Sequence, residues 1–359
     1  MPWSRYAGYA DAAYQALMDG WYDSDSGRWD PPRFLNGYGG LSWWQCANAL
    51  NTVIHYSSLR PVGNIQNMIA TAFQQNSSTN FRYDPSQPFG SQSVYDDEAW
   101  WALAWIAAYD ATARPEYLDM AATIFNDMSS QWTWECGGGL FWDTVHKYKN
   151  AIVNELFLTL AIRLFRRTSD PRYRAWALDE WNWFQKSGMQ DPNTGLINDG
   201  LDSTTCTNNH GAAWSYNQGV VLGGLADLFL TTQDPAHLAA AWTIAQAVIQ
   251  PSAHSLVDAN HVLMEPGYSG TPSYDDDAIQ FKGIFARNLG YLASVDPDSS
   301  HWPLYSTFLA ANANSLWLNS RNENNYFGYN WAGPFDSSDP SRQSSAMDAL
   351  VAAIRLDEL

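Results

Sequence analysis

The chain has 359 residues and a formal net charge of −18, because 37 Asp and Glu outnumber 19 Lys and Arg. A charge this acidic argues against a nucleic-acid backbone or an anionic membrane surface as a partner. Hydrophobic residues make up 46% of the chain, which excludes a disordered protein, and the 19 tryptophans are an unusual number. Because indole rings present flat faces that stack on sugar rings, the composition favours a carbohydrate ligand.

Apolar residues recur at helical spacing along almost the whole chain, and alternating strand patterns are few. Alternate predicted helices begin at intervals of 53 to 67 residues, which indicates a repeated unit of two helices. The predicted helices lie at about 4–19, 43–58, 62–75, 96–111, 115–129, 149–167, 171–187, 212–231, 235–250, 275–294, 300–319 and 342–356.

The connections between these helices alternate in length. Short turns lead into a proline, as at Asp170-Pro171 and Asp234-Pro235, and this pair is typical of a capped helix start. The helices that follow the long connections are apolar around most of their circumference, as at 99–108, so we expect them to be buried. The sequence therefore predicts an all-α fold, an (α/α)6 barrel of six inner and six outer helices that takes up residues 1–359 as a single domain. An open solenoid of the same repeat is the alternative.

Two neighbouring carboxylates, Asp96 and Asp97, begin the second of the buried helices. One interpretation is a helix cap followed by a first-turn acid. The other is the acid pair of a retaining glycosidase, whose carboxyls lie ~5 Å apart, against ~6.5–9.5 Å in an inverting enzyme. A similar cluster, Asp275 to Asp277, begins the fifth buried helix, so spacing alone does not say which pair would carry the chemistry.

The remaining long connections carry glycine, amides and aromatic rings. The Gly-rich segment 136–143 lacks the Lys-Ser/Thr ending of a phosphate-binding loop, so we interpret it as a loop that presents Trp142. No CxxC pair and no His, Asp or Glu cluster has metal-ligand spacing, and we expect no metal and no cofactor. The three cysteines, Cys46, Cys136 and Cys206, permit one disulfide.

Five separated motifs lie in order along the long connections. They are Tyr95-Asp96-Asp97-x-x-Trp100-Trp101-Ala102, Cys136-Gly137-Gly138-Gly139-Leu140-x-Trp142, Tyr148-Lys149-Asn150-Ala151-x-x-Asn154, Trp214-x-Tyr216-Asn217-Gln218-Gly219 and Phe281-Lys282-Gly283. Over about residues 30–355 the chain resembles glycoside hydrolase family 76, a family of endo-acting α-1,6-mannanases and related fungal cell-wall transglycosylases built on an (α/α)6 barrel.

The resemblance implies a retaining mechanism with Asp96 as the nucleophile and Asp97 as the general acid/base. It identifies the chain as a glycosidase whose expected partner is α-mannan or a mannooligosaccharide, cleaved within the chain. A transglycosylase on the same scaffold, a hydrolase of another α-1,6-linked glycan and a non-catalytic glycan-binding protein are the alternatives. We expect the substrate to contact Trp44, Tyr95, Trp142, Asn150, Trp214, Tyr216, Asn217, Gln218, Asp275 and Lys282.

The location of the protein is an expectation of the same kind. The first residues lack the basic-then-apolar layout of a signal peptide, and the last lack the hydrophobic tail of a lipid-anchor signal. No apolar run reaches the ~18 to 20 residues of a membrane span. We expect an extracellular or cell-wall-associated monomer whose leader is absent from this chain.

Overall fold

Twelve α-helices form the framework of the part of the chain that the structure describes. The computed structural model describes residues 5–29, 43–77, 94–267 and 277–355. Within these ranges the backbone has isolated bridges but no β-strand. The helices are α1 (Arg5–Trp21), α2 (Trp43–Leu59), α3 (Ile65–Asn76), α4 (Tyr95–Thr112), α5 (Pro115–Ser130), α6 (Ala151–Thr168), α7 (Pro171–Phe184), α8 (Ser215–Thr232), α9 (Pro235–Ile249), α10 (Phe281–Val295), α11 (Trp302–Asn319) and α12 (Pro340–Ile354).

The even-numbered helices form a closed inner ring. In chain order α2, α4, α6, α8, α10 and α12 each pack against the next, and α12 packs against α2. The odd-numbered helices lie outside them: α5 covers α4 and α6, α7 covers α6, and α1 covers α12. The (α/α)6 barrel predicted from the repeat is thereby confirmed, and the open solenoid is wrong because α12 completes the ring.

Burial separates the two sets of helices. In α4 every residue from Glu98 to Ala108 is buried, and all fifteen residues of α12 are buried. In α5, by contrast, the buried residues form one face around Ile124 and Phe125. The barrel interior therefore takes up the side chains of inner helices such as Trp101 and Trp105, as the sequence predicted.

The short connections lie at the end of the barrel opposite to Asp96. Ala113, Ser169 and Gln233 each end an inner helix in the left-handed conformation, with φ of 56 to 59°. A proline two residues later occupies the first turn of the next outer helix. The long connections meet at the other end, where the inner helices begin.

The fifth inner helix begins later than predicted. Its regular α-helix starts at Phe281 rather than at 275, after one turn of 3-10 helix at Asp277–Ile279. The Gln280 side chain donates hydrogen bonds to the Gln45 carbonyl at 3.2 Å and to the Ser344 hydroxyl at 2.8 Å. These bonds hold the turn against α2 and α12. None of the described helices combines the length and the apolar character that a membrane crossing requires.

Candidate active site

Asp96 and Asp97 lie in the first turn of α4 and are both partly exposed. The residue at the cap position is Val94, in extended conformation, and no side chain caps this helix. The capping interpretation of the pair is therefore wrong, because both acids lie inside the helix. The amide of Tyr95 donates to the Trp142 carbonyl at 3.0 Å, which fastens the Gly-rich loop to the start of α4.

The two carboxylates have different environments. The indole N–H of Trp142 donates to Asp96 Oδ2 at 3.0 Å, and the amide of Asp97 donates to Asp96 Oδ1 at 3.2 Å. The side chain of Asp97 makes no hydrogen bond to the described residues and lies open on one side. One acid is thus held in place by two donors, and its neighbour is available to a ligand.

Burial dominates the acidity of both groups. It raises the pKa of Asp96 to about 7, against the opposing hydrogen bond from Trp142, and the charge of Asp277 adds to the rise. The pKa of Asp97 is raised well above its usual range, by burial first and then by the charges of Asp96, Asp277 and Glu98. The hydrogen bond from Trp142 favours the ionised form of Asp96, whereas every neighbouring charge that acts on Asp97 disfavours its ionised form.

Asp277 brings a third carboxylate to this end of the barrel. It stands at the start of the 3-10 turn before α10, and Trp44 Nε1 donates to its Oδ1 at 3.1 Å. The second acidic cluster of the sequence therefore acts on Asp96 and Asp97 through its last member. Asp275 lies outside the described residues.

Aromatic rings lie at the same end of the barrel as the acids. Tyr216 stacks on Phe281 with ring centroids 3.6 Å apart, and Trp214 meets the same ring edge-on at 5.7 Å. Trp214 and Tyr216 keep part of their surface exposed, as a stacking platform requires. Burial and the nearby carboxylates, including Asp96, raise the pKa of Tyr216, so its hydroxyl remains protonated.

Trp44 and Tyr95 are more buried than the sequence suggested. Trp44 is 6% exposed and Tyr95 is 1% exposed, because they pack between inner helices. The ring of Trp44 stacks on Trp100 with centroids 5.8 Å apart. Since neither ring offers a free face, we revise their predicted role from sugar platform to support of the acids.

Two further residues that were predicted to bind sugar instead make hydrogen bonds within the protein. Asn150 caps α6, where its side chain accepts from the Val153 amide at 3.4 Å. Gln218 bonds both the amide and the carbonyl of Ile197, at 2.9 and 2.7 Å. Both side chains are buried, so we revise their role to the fastening of loops.

Lys282 is likewise committed to the interior, with 2% of its surface exposed. Its ammonium donates to the Tyr329 carbonyl and lies 4.9 Å from the centroid of the Trp331 ring. Burial lowers the pKa of Lys282 to about 7, against the charges of Glu265 and Asp336. A sugar contact is therefore replaced by a structural role. Asn217 stays a candidate, because neither atom of its buried amide has a hydrogen-bond partner among the described residues.

Sequence reasoning missed the ammonium that organises the Gly-rich loop. Lys149 Nζ donates to the Thr133 hydroxyl at 2.9 Å and to the carbonyls of Glu135, Gly138 and Gly139 at 2.5 to 3.0 Å. The only signal was its place between Tyr148 and Asn150 in a motif. A disulfide between Cys136 and Cys206 ties the same loop to the next long connection, while Cys46 is buried and takes no part in that disulfide.

A second missed group lies beside Tyr216. The Tyr148 hydroxyl donates to Asp199, and Asn209 Nδ2 donates to that hydroxyl at 2.8 Å. Glu155 is fully buried, and within the described ranges its carboxylate has no hydrogen-bond partner; burial together with the charge of Asp199 raises its pKa well above the usual range. Nothing in the local sequence around Asp199 signalled this contact.

Comparison with known proteins places the chain in a family. Residues 6–357 match the family model described as Glycosyl hydrolase family 76. The chain belongs to glycosyl hydrolase family 76. Among the described residues of this family 76 protein, no three His, Cys, Asp or Glu side chains are grouped to hold a metal ion.

Relatives of this family 76 chain include fungal proteins. A protein of Eremothecium gossypii named mannan endo-1,6-alpha-mannosidase DCW1 is 27% identical over 79% of this chain and 64% of its own length. A putative mannan endo-1,6-alpha-mannosidase of Schizosaccharomyces pombe is 28% identical over 80% of this chain and 67% of its own length. The chain thus spans about two thirds of the length of these curated relatives.

Solved structures share the fold. The GH76A alpha-1,6-mannanase from Salegentibacter sp. HEL1_6 has a TM-score of 0.83 at 22% identity and covers 98% of this chain and 99% of its own. A variant of that enzyme, inactive through replacement of two adjacent aspartates by alanine, is known in complex with alpha-1,6-mannotetrose; it has a TM-score of 0.83 at 20% identity over 98% and 100% of the chains.

Proposed function

We propose that this chain is a retaining glycosidase that cleaves α-1,6-mannosidic bonds within mannan. The observation that carries the proposal is the Asp96–Asp97 pair, in which one carboxylate is held by Trp142 and the other is partly exposed and makes no hydrogen bond to the described residues. Cα atoms of adjacent residues are about 3.8 Å apart, so the two carboxyls are able to reach the ~5 Å separation of retaining glycosidases. The names of the fungal relatives support the substrate class.

Asp96 is the nucleophile in this proposal. Its carboxylate attacks the anomeric carbon of a mannosyl unit while Asp97 delivers its proton to the departing glycosidic oxygen. The carbon–oxygen bond of the substrate breaks and a covalent mannosyl–Asp96 ester forms. Asp97, now ionised, takes a proton from a water molecule while the water attacks the same anomeric carbon. The ester bond to Asp96 breaks, and the mannose product keeps the anomeric configuration of the substrate.

The different environments of the two carboxylates support these roles. A nucleophile must be ionised and a general acid must carry a proton at the same pH. The Trp142 N–H stabilises the charged form of Asp96, and the charges of Asp96, Asp277 and Glu98 raise the pKa of Asp97. The inactivity of the related mannanase that lacks two adjacent aspartates is consistent with the assignment.

The test is to measure α-1,6-mannan hydrolysis by Asp96→Ala and Asp97→Ala, with Asp298→Asn at an exposed site as the control. We expect a loss of at least 10³-fold for Asp96→Ala on every substrate. For Asp97→Ala we expect a smaller loss on a substrate whose leaving group needs no proton. Near-normal activity of both variants would sink the proposal. The anomer formed first, followed by NMR, tests retention.

The proposal also specifies which glycan is cleaved and whether water or a sugar accepts the mannosyl group. α-1,6-Mannan should be cleaved in preference to α-1,6-glucan and branched yeast mannan, which a panel with reducing-sugar detection measures. A transglycosylase would share the first step, but a sugar hydroxyl would replace the water. Lengthened products at high mannooligosaccharide concentration would identify transfer, whereas shortened products alone identify hydrolysis.

We further propose that residues 1–359 work as a single catalytic domain outside the cytosol. The disulfide between Cys136 and Cys206 supports this location, because disulfides persist in oxidising compartments. The whole-chain family match supports the single domain.

A further inference from the structure

A cavity of about 460 Å³ lies at the end of the barrel opposite to Asp96 and Asp97. We call it the far cavity. Its mouth is formed by the C-terminal ends of the inner helices, including His55 of α2, Asp110 of α4 and Arg355 after α12, and it extends into the barrel as far as Trp100 of α4 and Val220 of α8. At 1.5 Å per residue, Asp96 and Asp110 are separated by ~21 Å along α4. The far cavity is thus a different place from the candidate active site.

The far cavity concentrates positive charge in an acidic protein. Five of the 19 basic residues line it, against three aspartates. Asp227 is paired with Arg163 and Arg166, Asp348 with Arg287, and Asp110 with Arg167. Arg355 makes no ion pair with the described part of the chain. After every aspartate is paired, positive charge remains in excess.

Three of these arginines share the wall of the far cavity with a histidine. His55 lines the cavity from α2, and Arg287, Arg163 and Arg355 line it from α10, α6 and the end of α12. Burial first, and then these three positive charges, lower the pKa of His55 well below its usual value. The imidazole is therefore neutral at pH 7 and lies in the same cavity as three cations from three elements.

The helix α8 leaves room for this arrangement. Gly223 lies on α8, and a Cβ there would stand 3.2 Å from Arg163 Nη2 and would clash with Asn288 Oδ1. The absence of a side chain thus admits a guanidinium and an amide to the centre of the barrel. Arg163 uses its Nε for Asp227, which leaves its terminal nitrogens as donors.

We propose that the far cavity binds a phosphate group, either as inorganic phosphate or as the monoester of a sugar phosphate. Guanidinium groups bind phosphate oxygens in pairs of parallel hydrogen bonds. Three arginines in the wall of one cavity, of which Arg355 has no ion-pair partner among the described residues, suit a tetrahedral oxyanion better than a planar carboxylate, which two would satisfy. A volume of about 460 Å³ falls within the ~300–1,000 Å³ of small-molecule sites and has room for a sugar attached to the phosphate.

The test measures thermal unfolding of the full chain with inorganic phosphate, with glucose 6-phosphate, and with sodium chloride at equal ionic strength. We expect a saturable rise of the unfolding midpoint by about 2 °C for the phosphates and none for chloride. If one of the two phosphates binds more strongly, the difference shows whether the cavity prefers inorganic phosphate or a sugar phosphate. NMR titration of His55 gives a second readout, because a bound dianion should raise its pKa by about 1.

Arg355→Gln is the informative variant, since removing an unpaired side chain leaves no aspartate without a partner. We expect its phosphate affinity to fall about tenfold and the response of His55 to weaken. The matched control is Arg172→Gln, at an exposed arginine on α7, which should bind phosphate as the wild type does. Mannan hydrolysis should be unchanged in both variants.

Two results would overturn the proposal. One is stabilisation by the phosphates no greater than that by chloride, with a His55 pKa that does not move. The other is an Arg355→Gln variant whose phosphate response equals that of Arg172→Gln. Either result would show that the arginines have only a structural role, in which they neutralise the aspartates and the negative C-terminal ends of the inner helices. Neither result depends on the outcome for Asp96 and Asp97.

Discussion

The indole N–H of Trp142 donates to Oδ2 of Asp96 at 3.0 Å. The two residues are 46 positions apart, and the bond joins the Gly-rich loop to the first turn of α4. It is the contact that distinguishes Asp96 from Asp97, because it stabilises one ionised carboxylate and leaves the other without a donor. We expect the pH dependence of activity to depend on this hydrogen bond.

Trp142→Phe removes the donor and keeps an aromatic ring. A hydrogen bond to a charged group contributes about 1.5–3 kcal/mol, so we expect the pKa of Asp96 to rise by about 1 or more. Because the nucleophile must be ionised, the acidic limb of the activity profile should lie at a higher pH than in the wild type. We also expect kcat to drop about tenfold. The pH dependence of kcat/KM measures this. Trp134→Phe, at an 81% exposed ring of the same loop, is the control. A profile identical to that of the wild type would contradict the assigned contact.

Asp277→Asn removes a like charge without changing the shape of the side chain. Asp277 raises the pKa of both Asp96 and Asp97, so its neutralisation should lower both. The acidic limb, set by Asp96, and the alkaline limb, set by Asp97, should therefore both move to lower pH, by about 0.5. Profiles of kcat/KM against pH test the shift, with Asp298→Asn as the exposed control. Movement of either limb to higher pH would refute it.

Lys149→Met should loosen the Gly-rich loop. The ammonium of Lys149 donates hydrogen bonds to three carbonyls and one hydroxyl of that loop, and a thioether leaves the buried carbonyls of Gly138 and Gly139 without this donor. We expect unfolding free energy to fall by about 2–4 kcal/mol and kcat to fall with it, because Trp142 loses its support. Lys147→Met, two residues away and exposed, should change neither quantity. Equal stability of the two variants in denaturant unfolding would show that the loop does not need the ammonium.

Gly139→Ala should destabilise the fold. Gly139 has φ of +85°, and a Cβ there would overlap the ring of Trp183. Left-handed strain and overpacking each cost about 1–3 kcal/mol, so we expect a loss of about 2–4 kcal/mol in urea unfolding. Gly8→Ala on α1 is the control, because its Cβ would meet nothing within 4 Å and alanine favours a helix interior. The first variant should be less stable than the wild type and the second slightly more stable.

The architecture was predictable because the sequence repeats the same pattern of apolar residues and helix starts along the chain. The helical spacing, the Asp-Pro helix starts and the repeat of 53 to 67 residues are local properties, and the ring follows from them. The place of the Asp pair was predictable for the same reason, since it begins a helix that is apolar all round. The start of α10 was missed because Gln280 contacts residues of α2 and α12 that are more than 60 positions away.

The roles of the motif residues were harder to predict, because a side chain that binds sugar and one that fastens a loop look alike in sequence. Gln218 and Asn150 have the amides that a hydroxyl-rich ligand needs, but Ile197 and Val153 occupy them. Lys282 was expected at the sugar and instead donates to the Tyr329 carbonyl. Only the tertiary contact decides between these roles.

The closure of the inner ring has a consequence for how the protein is made. α12 seals the ring against α2 and packs on α1, and Gln343 donates to the Ala13 carbonyl across 330 positions of sequence. At about 5–20 residues per second, the ribosome needs roughly 20–70 s to reach this helix. During that time α2 displays an apolar face that α12 will cover, and α10 adds another once it has been made. The nascent barrel is therefore an open arc until α12 has been synthesised, and we expect its assembly to call on chaperones that shield such surfaces.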